Sequence, residues 1–315
     1  MTNALSACFV GLGSIGKRHL GNLNAVAAAR GLKISVDALR HKGAAPLDAS
    51  TAELIRNEYV QSEDLGHYDL MFICNPSQLH YKTLCDLSDK AEHFFVEKPV
   101  FVKPLSEESL VPFDDPKKYY VACPMRHTKV FDFLQQFVRK HQIFSARAIC
   151  SSYLPEWRPN QDYRMLYSAA KESGGVKLDL IHEFDYLFTL FGFPVRSFLI
   201  EGKFSNLEIE SSDTVAYIGE YADKVVELHL DYHGRKIQRA IELYTAEDVV
   251  ACDFVKSEVQ YRKSGEVVSL AEERNDYCRR ELDCFLDFAL EGGRNVNSLR
   301  HANKVLSLLF KESPT

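Results

Sequence analysis

The chain has 315 residues, of which 46% are hydrophobic, so it is long enough to form two domains with sizeable cores. Its formal net charge of −6 argues against nucleic acid or an anionic membrane as the main partner, because neither is attracted to an acidic surface. No apolar run reaches transmembrane length, and the first predicted strand begins too early to leave room for a signal peptide, so we expect a cytoplasmic protein.

The eight cysteines are scattered through apolar segments, and the sequence contains no Cys-x-x-Cys pair. Such a pair would offer two metal ligands from a single turn. The histidines likewise have no metal-site spacing. We therefore expect reduced thiols and no bound metal.

The first third of the chain alternates strand-like and helix-like segments, beginning with a buried strand at 7–10 and an Ala- and Leu-rich helix at 17–30. This rhythm predicts a doubly wound parallel sheet, a Rossmann domain over residues 1–122. Ligands of such sheets bind at the carboxyl ends of the strands, so the residues that follow each strand are the candidates for a binding site.

The pattern changes after Phe131, where helices give way to a long β region. Two hairpins are predicted there, one around Ala222–Asp223 and the other around 245–248. The predicted fold class is therefore α/β, in which a second α/β domain with a large open antiparallel sheet spans residues 123–315.

A Gly-x-Gly-x-x-Gly turn follows the first strand, formed by Gly11, Gly13 and Gly16 with Ser14 and Ile15 between them. The first glycine allows the tight turn, the second lets main chain approach a pyrophosphate, and the third lets the next helix pack on the strand. The five residues are predicted to bind a dinucleotide. The alternative is a glycine-rich turn without a ligand, since short glycine patterns also occur by chance.

The second strand bears on the choice between NAD and NADP. Asp37 has the spacing of an acid that holds the NAD ribose, but the apolar run continues to Leu39 and places Asp37 inside the strand. Arg40 and His41 follow the strand end, where cations suit the additional phosphate of NADP. We therefore favour NADP over NAD, with a solvated basic loop as the alternative.

The next two strand ends supply further candidates. Cofactor contacts are predicted for a set of residues at these ends: Cys74, Asn75, Pro76, His80 and Glu97. Lys98, which precedes a proline, is well placed to hydrogen-bond a substrate hydroxyl. The alternative is a surface lysine in a turn.

The segment 153–164 contains the single tryptophan of the chain. Arginine forks bind carboxylate or phosphate, and aromatic faces stack on sugar rings. Trp157, Arg158, Tyr163 and Arg164 are therefore predicted to bind an anionic sugar-like substrate. A structural loop in which Trp157 fills the core is an equally plausible interpretation.

The glycine loop, Asn75–His80, Glu97–Pro99, Pro124–His127 and Gly174–Asp185 occur in an order and spacing that resemble the Gfo/Idh/MocA family of glucose-fructose oxidoreductase and inositol dehydrogenase. The resemblance extends over nearly the whole chain. It implies an NAD(P)-dependent dehydrogenase that acts on a secondary alcohol of a sugar, sugar acid or nucleotide sugar. It also implies a homodimer or homotetramer.

The same resemblance implies roles for individual residues. Lys98 matches the lysine that binds and polarises the reacting oxygen, and His182 matches a histidine that commonly serves as acid/base and contacts substrate. Asp179 completes the catalytic set. Arg126, in the Pro124–His127 motif, is predicted to contact the cofactor.

This chain departs from the family pattern in the second domain, because His182 follows Asp179 by three positions instead of four. One alignment puts Glu183 in the place of the histidine. We favour His182, since imidazole titrates near the working pH, and we expect Asp179 or Asp185 to orient it. On a single helix from about 178 to 191, the side chains of Asp179, His182 and Glu183 would share one face.

Two other functions keep the same fold. One is a cofactor-sensing regulator without turnover, and the other is an enzyme that modifies glycosides and recycles its NAD. Retention of Lys98, Asp179 and His182 favours an enzyme.

Overall fold

A computed structural model describes residues 5–311. The chain divides into two compact units. The first comprises residues 5–124 together with Arg274–Ser307, and the second comprises Met125–Glu273 with residues 308–311. The structure therefore differs from the predicted second domain at 123–315, because the segment 274–307 belongs to the first unit.

The elements are named here in chain order. The strands are β1 (Leu5–Val10), β2 (Ile34–Leu39), β3 (Asn57–Tyr59), β4 (Tyr68–Ile73), β5 (Ala91–Val96), β6 (Tyr119–Val121), β7 (Ser145–Tyr153), β8 (Arg196–Gly202), β9 (Thr214–Glu220), β10 (Val225–Asp231), β11 (His233–Tyr244), β12 (Val249–Asp253), β13 (Glu258–Tyr261) and β14 (Val267–Ser269). The helices are α1 (Ser14–Ala29), α2 (Ala49–Ala52), α3 (His80–Leu87), α4 (Glu107–Leu110), α5 (Lys129–Lys140), α6 (Val176–Asp179), α7 (Ile181–Phe191), α8 (Arg274–Glu291) and α9 (Leu299–Leu309). Short 3-10 helices occur at Ser62–Asp64, Ser77–Leu79, Val111–Phe113, Pro124–His127, Leu154–Glu156, Tyr163–Met165 and Tyr167–Ala169.

The first unit is built on a six-stranded sheet in the order β3-β2-β1-β4-β5-β6, and all its strand pairs are parallel. This confirms the predicted Rossmann sheet. Because the strands run in the same direction, the residues after β1, β2, β4 and β5 lie along one edge of the sheet.

Aromatic side chains form the centre of this unit. Phe9 stacks on Phe72 with ring centroids 4.4 Å apart. Phe285 of α8 packs edge-on against Phe72 and Phe95, at 5.6 Å and 5.3 Å. The burial of these rings holds α8 in the core of the first unit, although about 180 residues of sequence separate it from β5.

The second unit is built on an eight-stranded sheet in the order β14-β13-β12-β11-β7-β10-β9-β8. Its pairs are antiparallel except for β7 with β10, so the predicted antiparallel sheet is in fact mixed. Helix α7 covers one face, where Phe184 packs edge-on against Tyr217 at 5.2 Å. The opposite face exposes the apolar side chains of Phe198, Ile200 and Ile218.

Among the helices between residues 5 and 311, none is both long enough and apolar enough to cross a bilayer.

Candidate active site

The glycine loop has the geometry of a phosphate cradle. Gly11 has a φ of +92°, and a Cβ there would lie 2.9 Å from the backbone of Asn75. A Cβ on Gly16 would lie 2.4 Å from the carbonyl oxygen of Gly11, whereas the space beside Gly13 is open. Gly13 caps α1 without a side-chain acceptor, so Ser14 and Ile15 begin a helix whose amino end suits an anion. These residues fit a dinucleotide pyrophosphate.

Asp37 is part of the sheet and not of its binding edge. Its side chain is 1% exposed and accepts hydrogen bonds from Arg56 at 2.6 and 3.0 Å, Tyr68 at 2.9 Å and Asn57 at 3.1 Å. Burial favours a higher pKa for Asp37, but the bonds from Arg56 and Tyr68 bring the pKa below its usual range. The carboxylate is thus fully used within the fold, in agreement with its predicted position inside the strand.

Arg40 lies at the end of β2 as predicted, but its guanidinium has protein partners. It forms an ion pair with Glu58 at 2.6 Å and donates to the carbonyl oxygen of Ala45. His41 is exposed, with Nδ1 at 3.1 Å from the carbonyl oxygen of Lys42. The charge of Arg40 is therefore already matched, which the sequence pattern did not indicate.

The loop after β4 contains Cys74, Asn75 and Pro76, with His80 at the start of α3. His80 is fully buried, and its Nε2 and Nδ1 lie 2.9 Å from the carbonyl oxygen of Asn75 and 3.1 Å from that of Val100. Burial lowers the pKa of His80, although both carbonyl groups oppose this effect. The His80 ring therefore lies between the β4 loop and the β5 loop, and its contact with the cofactor stays a prediction.

Glu97 and Lys98 follow β5. The Glu97 side chain is buried, and its Oε2 accepts a hydrogen bond from the main-chain N–H of Lys98 at 2.9 Å. Its Oε1 lies 2.5 Å from Nε2 of His19, a residue of α1. The Glu97 carboxylate thus has a partner on each oxygen inside the first unit, and its contact with the cofactor stays a prediction. The Lys98 residue itself is half-buried.

Sequence reasoning missed His19. The sequence does contain an indication of its role: His19 is a polar residue within the apolar stripe of α1 that includes Leu20, Leu23 and Val26. A histidine in an apolar stripe requires a buried partner, and the partner is Glu97.

In the second unit, Asp179 lies at the end of α6 and is 5% exposed. The Tyr232 hydroxyl donates to its Oδ2 at 2.5 Å, and Trp157 packs edge-on against the Tyr232 ring at 5.2 Å. The indole N–H of Trp157 donates to Ser152 Oγ at 2.9 Å. Tyr167 also lies beside this aspartate. Its pKa is raised mainly by burial and, to a smaller extent, by the negative charge of Asp179. The structure therefore brings Asp179 and Trp157 together through Tyr232, a residue that the sequence analysis did not single out.

The predicted single helix through this motif is wrong. Helix α6 ends at Asp179, Leu180 leaves the helical conformation with φ −99° and ψ 24°, and α7 begins at Ile181. The half-buried His182 lies in the first turn of α7. Because of this break, the shared helix face expected for Asp179 and His182 does not exist.

Glu183 was the alternative acid/base to His182. It is fully buried, and its Oε1 accepts from Arg239 of β11 at 2.8 Å. Burial raises the pKa of Glu183, while the charge of Arg239 opposes the rise. This ion pair between α7 and the sheet gives Glu183 a structural partner, which favours His182 as the acid/base.

Arg126 and Asp185 form a buried bidentate ion pair, with Nε to Oδ2 at 2.7 Å and Nη2 to Oδ1 at 2.5 Å. The sequence analysis did not predict this pairing, and the cofactor contact of Arg126 and the orienting role of Asp185 stay predictions. Two planar groups that match in this way leave little freedom to either side chain.

Two of the predicted substrate residues in 153–164 have other partners. Arg164 forms ion pairs with Asp162 and Glu208 at 2.7 and 2.9 Å, and the hydroxyl of Tyr163 accepts from the Glu208 N–H. Arg158 is exposed, and within residues 5–311 no acidic group lies within ion-pair distance of it. Arg158 therefore remains the one arginine of the segment whose charge is available to a ligand.

Part of the first unit matches a known family model. Residues 5–112 match the model of an oxidoreductase family with an NAD-binding Rossmann fold. The uncharacterized oxidoreductase YrbE of Bacillus subtilis (strain 168) is 27% identical over 212 residues, which are 64% of this chain. The chain spans 58% of the length of that curated relative.

Solved structures share the fold of the whole chain. Levoglucosan dehydrogenase in complex with NADH has a TM-score of 0.83 at 16% identity, covering 97% of this chain and 95% of that one. Myo-inositol 2-dehydrogenase from Lactobacillus plantarum has a TM-score of 0.73 at 19% identity, covering 97% and 95%. Identities this low establish similarity of fold, and the chemistry has to be argued from this chain's own residues.

Proposed function

We propose, from the match of residues 5–112 to the Gfo/Idh/MocA model of NAD-binding oxidoreductases, that this protein is an NAD(P)-dependent dehydrogenase. It interconverts a secondary alcohol and a ketone on a sugar, a sugar acid or a nucleotide sugar. One observation carries the proposal. Lys98 and the glycine loop lie at the same edge of the parallel sheet, and the buried carboxylate of Glu97 accepts a hydrogen bond from the main-chain N–H of Lys98.

The bound dinucleotide supplies the hydride chemistry. Lys98 donates a hydrogen bond to the reacting oxygen and stabilises the charge that develops on it. His182 is half-buried and exchanges the hydroxyl proton, because imidazole can both accept and donate a proton as a general acid/base. Asp179, three positions before His182, acts as a fixed carboxylate that Tyr232 holds in one orientation.

The dinucleotide is either NAD or NADP. The glycine cradle fits the pyrophosphate that both cofactors contain. Recognition of the NADP phosphate uses Arg40 and His41, and it requires Arg40 to exchange Glu58 for that phosphate. Binding of NADP therefore requires the Arg40–Glu58 ion pair to break, whereas binding of NAD does not. We favour NADP because Arg40 and His41 place two basic side chains at the end of β2.

The test is turnover of a panel of sugars, sugar acids and nucleotide sugars, in both directions, followed by absorbance of the reduced nicotinamide. Lys98→Ala should abolish turnover and leave dinucleotide binding intact, as measured by thermal stabilisation. Lys82→Ala is the matched control, because Lys82 is an exposed lysine paired with Asp86 on α3. Normal turnover by Lys98→Ala would exclude the proposed role, and cofactor regenerated without net consumption would indicate the NAD-recycling alternative.

The open face of the eight-stranded sheet supports a homo-oligomer. Phe198 and Ile218 pair across β8 and β9 and are 42% and 49% exposed, and Ile200 beside them is 64% exposed. A second copy of the chain that covers this apolar group would remove it from water. Ile218→Asp should then shift the mass measured by sedimentation equilibrium towards that of one chain, and an unchanged mass would exclude this face.

A further inference from the structure

His19 is a buried histidine that the proposed chemistry does not use. It lies in the second turn of α1, is 3% exposed, and packs edge-on against Phe95 of β5 with ring centroids 4.9 Å apart. Its Nε2 lies 2.5 Å from Oε1 of Glu97. A carboxylate has no hydrogen to give, so Nε2 carries the hydrogen and His19 is the donor.

Glu97 depends on this donor. Burial favours a higher pKa for Glu97, but the bond from His19 and the positive charge of Lys98 bring the pKa below its usual range, so the group is ionised. A buried carboxylate is costly unless hydrogen bonds replace its lost water. With His19 on Oε1 and the Lys98 N–H on Oε2, the carboxylate joins α1 to the backbone of Lys98.

Helix α1 is also the helix that meets the dinucleotide phosphates. It begins at Ser14, and His19 lies five residues further on, about 7.5 Å along the axis at the usual rise per residue. The glycine cradle and the His19–Glu97 bond are therefore parts of one rigid element. The side chains of His19 and Glu97 thus form a hydrogen-bonded connection from α1 to the main chain of Lys98.

We propose that His19 is a positioning residue that couples occupation of the glycine cradle to the placement of Lys98, acting through Glu97. The proposal rests on the proposed dehydrogenase function for its kinetic consequence. Its physical content, that His19 holds the Lys98 main chain, is testable without turnover.

The direct test is hydrogen exchange at the Lys98 amide, whose hydrogen is bonded to Glu97. In His19→Leu this amide should exchange about ten- to a hundredfold faster, as expected for the weakening of a bond to a charged acceptor. Asn22→Leu is the matched control. Asn22 is also buried in α1, and its Nδ2 has no hydrogen-bond partner within residues 5–311, so the Lys98 amide should keep its wild-type rate.

Adding NADH separates this proposal from the proposed function. In the wild type NADH should slow exchange at Lys98, and in His19→Leu this protection should be lost while protection of the glycine loop remains. Equal exchange at Lys98 in wild type and His19→Leu overturns the coupling. If NADH slows amide exchange nowhere in the wild type, the proposed dinucleotide binding is contradicted. The exchange rate of the Lys98 amide in His19→Leu without NADH still decides whether His19 holds Lys98.

Kinetics supply a second readout. His19→Leu should lower kcat about tenfold or more with little change in the KM for the dinucleotide. His19→Gln retains an N–H donor and should recover part of the loss. In a Glu97→Gln background the His19→Leu effect should largely disappear, since residues that act through each other are not additive. Additive losses would contradict action through Glu97.

Discussion

Tyr232 and Asp179 are joined by a 2.5 Å hydrogen bond between a buried phenol and a buried carboxylate, although 53 positions separate them in the chain. Trp157 packs against the same phenol ring, so one cluster contains an aspartate of the second-domain motif and the single tryptophan. This bond orients the carboxylate of Asp179, a residue predicted to be catalytic.

Tyr232→Phe removes this donor and should lower the free energy of unfolding by about 1.5–3 kcal/mol, because a buried carboxylate loses a hydrogen bond. Turnover should fall as well. Urea denaturation measures the first effect. Tyr217→Phe is the control, since the Tyr217 hydroxyl is also buried but has no carboxylate partner within residues 5–311, so its loss should change stability less. Equal effects of the two variants would contradict a specific role for the Tyr232 bond.

Two glycines of α1 should respond in opposite directions to alanine. Gly16→Ala places a Cβ 2.4 Å from the Gly11 carbonyl oxygen, so the glycine loop must shift and dinucleotide binding should weaken about tenfold or more. Gly21→Ala has open space around the new methyl group and should stabilise the helix by about 0.5–1 kcal/mol without changing binding. Thermal melts with and without NADH measure both effects. Unchanged NADH binding by Gly16→Ala would show that the loop is not the cradle.

Glu58→Gln tests the role of Arg40. Removing the carboxylate frees the Arg40 guanidinium from its ion pair, so affinity for NADP should rise by roughly two- to tenfold, the range of an exposed charge pair. Affinity for NAD should stay constant. Glu63→Gln makes the same change in net charge at another exposed acid and serves as the control. A rise for both cofactors, or for neither, would place the NADP phosphate away from Arg40.

The stability of the first unit should depend on pH through Glu97. Its pKa in the folded protein is lowered, so its stabilising contribution is complete above the unfolded pKa, about 4.3, and is lost as the pH falls through the folded value. The difference in free energy of unfolding between wild type and Glu97→Gln should therefore be constant above about pH 5.3 and shrink below about pH 4.3. Urea titrations across this range measure it. A difference that grows on acidification would mean that the carboxylate is not held in its ionised form.

Local pattern was enough to predict the Rossmann sheet, the glycine cradle and the position of Lys98 at a strand end. These features depend on hydrophobic period and on turn geometry, which act over a few neighbouring residues. The burial of Asp37 was predictable for the same reason, because the apolar run continued beyond it. The convergence of Lys98 and His182 on one substrate stays a prediction.

The intramolecular partners of the charged side chains were not predictable from local sequence pattern. Arg126, Arg164, His80 and Glu97 have the chemistry of binding residues, yet each is held by groups inside the protein. Some of these partners are distant in sequence: Asp185 is 59 positions from Arg126, and His19 is 78 positions from Glu97.

The sequence by itself determined which elements form and which side chains reach the ends of the strands, since both depend on short-range periodicity. Only the tertiary structure decided which of those side chains remain available to a ligand. The physical reason is that a buried charge must find a partner wherever the chain supplies one, and the packing of distant segments selects that partner.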